Sequence, residues 1–252
     1  MLFYEFGYGQ TNVRQKDYAK TYNITRNTMV KVLLYRLQIE LKCRERWPMY
    51  VTHEEDMKFC EEKWNNEFGD NGPPVIMHDT TNIKMAKPSA GDMQRALYNS
   101  YYSQTCAKAG VSCQLCSWIF GNPLVTGHSN DDQQLQQSKI LELQEKFMEQ
   151  YGLETFLNIF DKGYHQTLQA KRRNQITLQP DKAEQIAEDS KCLLRAASVA
   201  VARSGNERAV KRAKVSWFIR RGMDGSQWDI DFLCDVWEAW TFRINFMYEG
   251  FQ

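Results

Sequence analysis

Apolar and polar positions follow two different rhythms along this chain, and the change between them divides it. From Lys16 to Leu41 apolar residues recur at helical spacing, with a break around Tyr22-Asn23. Ala19 before the break, Asn23-Ile24 at it, and Met29 and Val32 after it describe two helices crossing closely around a turn. That is the layout of a partial helix-turn-helix, in which Thr25, Arg26, Asn27 and Lys31 would face the major groove of DNA. An ordinary helical hairpin packed on the main domain carries the same pattern. Glu45-Arg46-Trp47-Pro48 interrupts the rhythm and marks a linker. Glu54 to Glu67 then predicts an acidic amphipathic helix, which the Gly69-Asp70-Asn71-Gly72-Pro73-Pro74 cluster stops.

Beyond that cluster strands and helices alternate. Val75 to Met85 predicts a strand carrying Asp79. Ser112 to Phe120 is a second apolar strand, with Gly121-Asn122 expected to turn the chain into Leu124-Val125-Thr126 as a hairpin. Asp131 to Tyr151 reads as one helix, with Ile140, Leu143, Phe147 and Tyr151 on its apolar face and Gly152 at its end. Thr155 to Phe160 is a short strand running into Asp161, and Ile176-Thr177-Leu178 is another. Lys182 to Arg221 is a long helical tract with an interruption expected near Ser204-Gly205, and Ile230 to Met247 predicts a terminal helix. The alternation points to an α/β fold preceded by a small helical segment.

With 252 residues, 42% of them hydrophobic, the chain can build a sizeable core. No apolar run approaches the roughly 18–20 residues a membrane helix needs, and Met1 to Gln10 lacks the layout of a secretory signal. Seven cysteines without a dense framework are expected as reduced, buried thiols. Cys113-x-x-Cys116 lacks the second ligand pair of a structural zinc site. Charge is unevenly spread. Between Asp161 and Gly222 stand 14 Lys and Arg against 6 Asp and Glu, so a net charge of +1 conceals a segment of +8 beside a remainder of −7. Such a segment can track a phosphate backbone, but solvated helix faces also collect Lys and Arg without binding one.

Three carboxylates stand out by context. Asp79 lies inside an apolar strand, where an acid is costly without a partner. Asp161 ends another, and Glu207 sits among Arg203, Arg208, Lys211, Arg212 and Lys214. Brought together, they would suit divalent metal: phosphodiester hydrolysis needs an activated water and a neutralised phosphate, and Mg²⁺ favours hard carboxylate oxygens. Taken singly, each also fits a structural role as a cap or an ion-pair partner. His78 beside Asp79 should face away from it, because strand neighbours alternate; His128 and His165 flank the proposed site. Trp217, Trp228, Trp237 and Trp240 read as core. No phosphate-cradling glycine loop and no nucleophile elbow is present.

Several stretches, in order, resemble the PIF/Harbinger transposases. They are Val75 to Pro88 with its strand, Asp79 and Thr80; Tyr101-Tyr102-Ser103 with Lys108 to Trp118; Thr126-Gly127-His128-Ser129-Asn130-Asp131; Asp161-Lys162-Gly163-Tyr164; and Arg203 to Lys214. The resemblance runs from about Trp47 to Phe251, giving a helical segment over 1–47 and a catalytic domain over 48–252. It implies an RNase H-like fold, a mixed central sheet flanked by helices, with Asp79 on the first strand, Asp161 at the end of the fourth and Glu207 on a following helix, together holding Mg²⁺ or Mn²⁺. It also implies DNA cleavage and strand transfer in the nucleus, homo-oligomers on DNA ends and a Myb-like partner. Arg26, Asn27 and Lys31, with Lys162, Lys171, Arg172, Arg173, Arg203, Arg208, Lys211, Arg212 and Lys214, would contact the DNA. Thr80 stands where the family commonly has Gly, and Asn206 where a hydrophobic residue often precedes the Glu. A domesticated or inactive copy would instead keep DNA or protein binding alone.

Overall fold

The computed structural model describes residues 19–46, 75–152, 156–161, 164, 175–178, 190–214 and 230–246. The linker expected at Pro48, the acidic helix over Glu54 to Glu67 and the cluster that follows it lie outside them. So do Trp217 and Trp228.

The centre of the molecule is β1 (Val75–Lys84), whose apolar first half is buried on both faces, as a central strand requires. It pairs antiparallel with β3 (Gln104–Gln114) and parallel with β5 (Phe156–Ile159), and β5 pairs parallel with β6 (Gln175–Leu178). On the far side of β3 lie β4 (Ile119–Thr126) and the two-residue β2 (Tyr98–Asn99), both antiparallel to it. The result is a mixed open sheet ordered β4-β3-β1-β5-β6, in which only β3 runs against its neighbours.

Helices cover both faces. Val75, Met77 and Ile83 of β1 join Ala107, Ala109, Val111 and Cys113 of β3 on one face, under α5 (Ser190–Ala213) and α6 (Ile230–Ile244). Ile76 faces the other way, into a cluster built by α3 (Asp131–Ser138) and α4 (Ile140–Tyr151) with Phe160 and Tyr164. A short α2 (Gly91–Leu97) precedes β2. Trp237 and Trp240 of α6 are fully buried core residues, and each indole N–H is satisfied: Trp237 donates to Asn122 O at 2.9 Å and Trp240 to Ala213 O at 2.8 Å. One helix thereby ties β4 to α5.

The N-terminal segment does turn at Tyr22-Asn23. Asn23 adopts the left-handed conformation (φ 52°), and the Ile24 amide returns to Ala19 O, closing the first helix. Thr25 then caps α1 (Arg26–Arg46) through the Thr28 amide. Ala19 and Met29 pack together with Ile24 and Leu33, whereas Val32, expected on that face, is exposed. The helix runs past Leu41 to Arg46 and docks on α6, where Leu37 meets Val236 and Ala239. Arg44 donates to Gly121 O at 3.0 Å, stacks over Phe120 and pairs with Glu238, while Arg243 pairs with Glu40. The segment therefore shares the core of the α/β body.

Three other expectations are corrected. The hairpin turn falls at Leu115–Trp118, with Ser117 left-handed (φ 68°), and Gly121-Asn122 lie inside β4. Gly121 is there for proximity: a Cβ would stand 2.2 Å from Thr241 Oγ1 of α6. The single helix over Asp131 to Tyr151 is broken at Lys139 (φ 53°), and its buried face is Ile140, Leu141, Gln144, Phe147 and Met148 rather than one including Leu143 and Tyr151. Conversely α5 passes through Ser204-Gly205 without interruption, because burial of Val199, Ala209 and Ala213 outweighs one unfavourable glycine.

Gly121→Ala is expected to destabilise the fold by about 1–3 kcal/mol through overpacking. Gly91→Ala, whose Cβ would meet nothing within 4 Å, should leave the unfolding free energy within about 0.5 kcal/mol of the parent and Tm nearly unchanged. Equal melting temperatures for the two variants would refute this packing account.

Candidate metal centre

The site arises where β1 outruns β5. Their parallel register aligns Val75 with Leu157 and Met77 with Ile159, and β5 ends there. Continuing that register by two residues sets Asp79 beside Asp161. Both residues line one open polar pocket of about 520 Å³, together with Thr80, Thr81, Asn82, Asn99, Tyr101, Tyr102, Gln104, Lys108, Asp131 and Lys214. Crevices outside the carboxyl ends of parallel strands are the usual ligand positions of open α/β sheets.

Alternation along β1 decides what reaches the pocket from each face. Asp79 shares its face with Met77 and thus meets α5; Thr80 and His78 project to the α3/α4 side. From α5, Arg203 forms an ion pair with Asp161 at 3.1 Å, and Lys214, just past the helix end, feels the charge of Asp79. From the other side, Asp131 stands at the first position of α3, behind the Asn130 capping box. It accepts from Thr80 Oγ1 at 2.5 Å and from Lys108 Nζ at 2.9 Å. Tyr164, buried beneath, hydrogen-bonds Thr80 in turn.

These surroundings push Asp79 up to about 6, first by burial and then by the neighbouring charges of Asp161 and Asp131; the Thr80 amide, 2.7 Å away, and Arg203 oppose the shift. Burial also lowers Lys214 and, with Asp131, Asp79 and Asp161 nearby, raises Tyr164 well above its ordinary range. His78 faces away from Asp79 as expected. It is buried, Nδ1 against Ser112 Oγ at 2.9 Å and Nε2 against Asn158 Oδ1 at 2.7 Å, stacked on Phe160 and held neutral with its pKa lowered to about 4 by burial.

Comparison with protein-family profiles, characterised proteins and solved structures finds no match for this chain.

The remaining residues singled out in the sequence are distributed as follows. Glu207 lies on α5 about 40° around the helix from Arg203 and about 20° from Lys214, on the edge those cations use. Its side chain is exposed and does not line the pocket. Among the described residues no three His, Cys, Asp or Glu side chains are grouped closely enough to hold a metal ion. Arg208 and Arg212 are turned about 140° and 180° from Arg203, away from the pocket, and Lys211 is exposed. Asn27 and Lys31 are exposed on α1, and Arg26 begins it. Lys162, His165, Lys171, Arg172 and Arg173 lie outside the described residues. His128 is exposed at the Ala96 carbonyl. Of the described cysteines, Cys106, Cys113 and Cys116 are buried, as expected, and Cys43 is exposed.

The sequence reading missed Asp131 and Lys108 as pocket residues. An Asp in the first turn of a helix is commonplace, because the helix dipole favours it, so nothing local singled this one out.

The folded chain binds the Asp79 proton more tightly than the unfolded chain, where the ordinary value is 3.8. That contribution is stabilising below about pH 4 and is lost as pH rises to about 6, by up to about 3 kcal/mol. His78, held neutral, contributes the opposite slope, so the test is a difference. In EDTA, Asp79→Asn should gain stability over the parent as pH rises from 4.5 to 7 in urea unfolding. A constant difference across that range would show that Asp79 is not perturbed.

Proposed function

We propose that this chain is the catalytic core of a DDE-type transposase of the PIF/Harbinger kind, a metal-dependent DNA endonuclease with an RNase H-like fold. The observation that carries the reading is the convergence of Asp79, midway along β1, and Asp161, two residues past the end of the parallel β5 and 82 positions away in sequence, in one open polar pocket. The strand order supports the fold assignment. Asp79 is on the first strand, and Asp161 follows the fourth strand longer than two residues. Glu207 is on the helix after the sheet. Thr80, where the family commonly has Gly, here links β1 and Tyr164 to Asp131.

The donor set suits Mg²⁺ or Mn²⁺. All its ligands are hard oxygens, and Mg²⁺ is commonly held by one or two carboxylates, waters and substrate phosphates rather than a full protein cage. The Asp79 carboxyl is raised first by burial and then by Asp161 and Asp131, and a bound cation would lower it again. Asp79 and Asp161 would hold the ions, with Glu207 brought in from its helix edge when Arg203 leaves Asp161. When bound, the ions supply water activation and charge neutralisation at the scissile phosphate. Lys108 and Lys214 at the pocket wall position the DNA backbone. On this reading the partners are DNA, further copies of the chain on DNA ends and a Myb-like protein, and the site of action is the nucleus. The absence of a membrane-length apolar helix among the described residues is compatible with it.

A second reading is favoured by the ion pairs themselves. Arg203 on Asp161 and Lys108 on Asp131, with Lys214 near Asp79, balance three acids with three cations. A domesticated copy that binds DNA or protein without chemistry would keep such a pocket.

Nicking of supercoiled plasmid in Mn²⁺ separates the readings. The parent should nick, and Asp79→Asn and Asp161→Asn should each lose about 100-fold or more in rate. Equal nicking by all three proteins disproves the proposed chemistry. Salt-sensitive DNA binding without nicking by any of them points to the binding module.

A further inference from the structure

We propose that Tyr101 and Tyr102 form a stacking platform for an unpaired DNA base next to the acidic pocket; this rests on the DNA reading above and names the form of DNA that the site takes. Single exposed aromatics are ordinary on protein surfaces. These two are adjacent, 86% and 57% exposed, with ring centroids 4.8 Å apart at 79°, and both line the pocket that holds Asp79 and Asp161.

Their turn is anchored from below. Asn99, buried, donates to Gly127 O at 2.7 Å and accepts from the Tyr102 amide at 3.1 Å. Ser103 takes the left-handed conformation (φ 49°), which sends the chain directly into β3. Gly127 must be glycine for this contact: a Cβ would stand 2.1 Å from Cys106 O and 2.6 Å from Leu97 O. The rings are therefore presented by a fixed base, and ordering them on a ligand carries little entropic penalty.

The chemistry around them selects the occupant. Lys214 offers a cation to a phosphate beside the Lys108–Asp131 ion pair, while Gln104 and Asn82 offer amide groups. A flat apolar face beside cations and amides is the combination that binds a nucleotide through its base and backbone together. Inside a duplex each base is stacked on both neighbours and offers no free face to a tyrosine pair. The site thus calls for a frayed or single-stranded DNA end.

The test is equilibrium binding of the full chain in EDTA at low salt. The probes are a blunt duplex and a forked duplex of equal length whose unpaired arm carries 2-aminopurine. The parent should prefer the fork and quench the probe. The Tyr101→Ala/Tyr102→Ala double variant should lose about 5- to 100-fold on the fork, with blunt-duplex affinity and Tm unchanged. The corresponding double Phe variant should retain the preference, since stacking needs the ring and not the hydroxyl. Equal binding of fork and blunt duplex by the parent, or a preference that survives the double Ala change, overturns the inference. No binding of either DNA removes it together with the DNA reading. Because EDTA prevents cleavage, a chain that prefers forks but nicks nothing sinks only the nuclease proposal. One that nicks without preference sinks only the platform.

Discussion

Everything distinctive about this molecule depends on the place where β5 stops pairing with β1. Three residues of parallel register, Val75 to Met77 against Leu157 to Ile159, hold the two strands together, and β1 then continues alone on that side. Because the strands are parallel, both chains reach this point travelling in the same direction, so residues two positions beyond the last pair are neighbours. An antiparallel pair would bring the start of one strand to the end of the other and separate Asp79 from Asp161. The crossover through α3 and α4 between β4 and β5 is what a parallel return requires, and it also delivers Asp131 to the opposite face of the same opening.

Crowding acids in a half-buried opening has an electrostatic consequence that the protein manages locally. Asp161 is answered by Arg203 and Asp131 by Lys108 and Thr80, while Asp79 is left with its carboxyl raised. Burial is the leading cause, so the shift follows from the packing of β1 under α5 rather than from any single neighbour. The opposite side of β1 shows the contrasting solution. His78 is buried among Ser112, Asn158, Gln144 and Phe160, fully partnered and neutral, and behaves as a structural element of the core. Two adjacent residues on one strand thus meet two environments because a strand's side chains alternate.

The rigidity behind the site comes from α6. Its two buried indoles reach β4 and α5, and Thr241 presses on Gly121. Asn245, just past the helix, accepts from the Ile119 amide at 2.7 Å and donates to Ile119 O at 2.8 Å, covering part of the edge of β4. The long α1 docks on the outer side of α6 through Leu37 and two Arg–Glu pairs. The N-terminal segment is thereby coupled to the wall of the site through one helix.

The chain's own pattern determined the α/β character, the central apolar strand bearing Asp79, the short strand leading to Asp161, the turn at Asn23 and the end of α4 at Gly152. Each of these is set by neighbours within a few residues: apolar runs, alternation, or a residue that tolerates positive φ. Tertiary structure decided the rest. Gly121 read as a turn because glycine's two uses, left-handed backbone and close approach, look identical in sequence, and only the position of Thr241 tells them apart. Ser204-Gly205 read as a break because propensity is local, whereas the packing that overrides it comes from across the sheet. Asp131 entered the site and Glu207 stayed at its margin for the same reason. Whether a carboxylate faces a pocket depends on where its helix is placed against the sheet, and contacts far away along the chain set that placement.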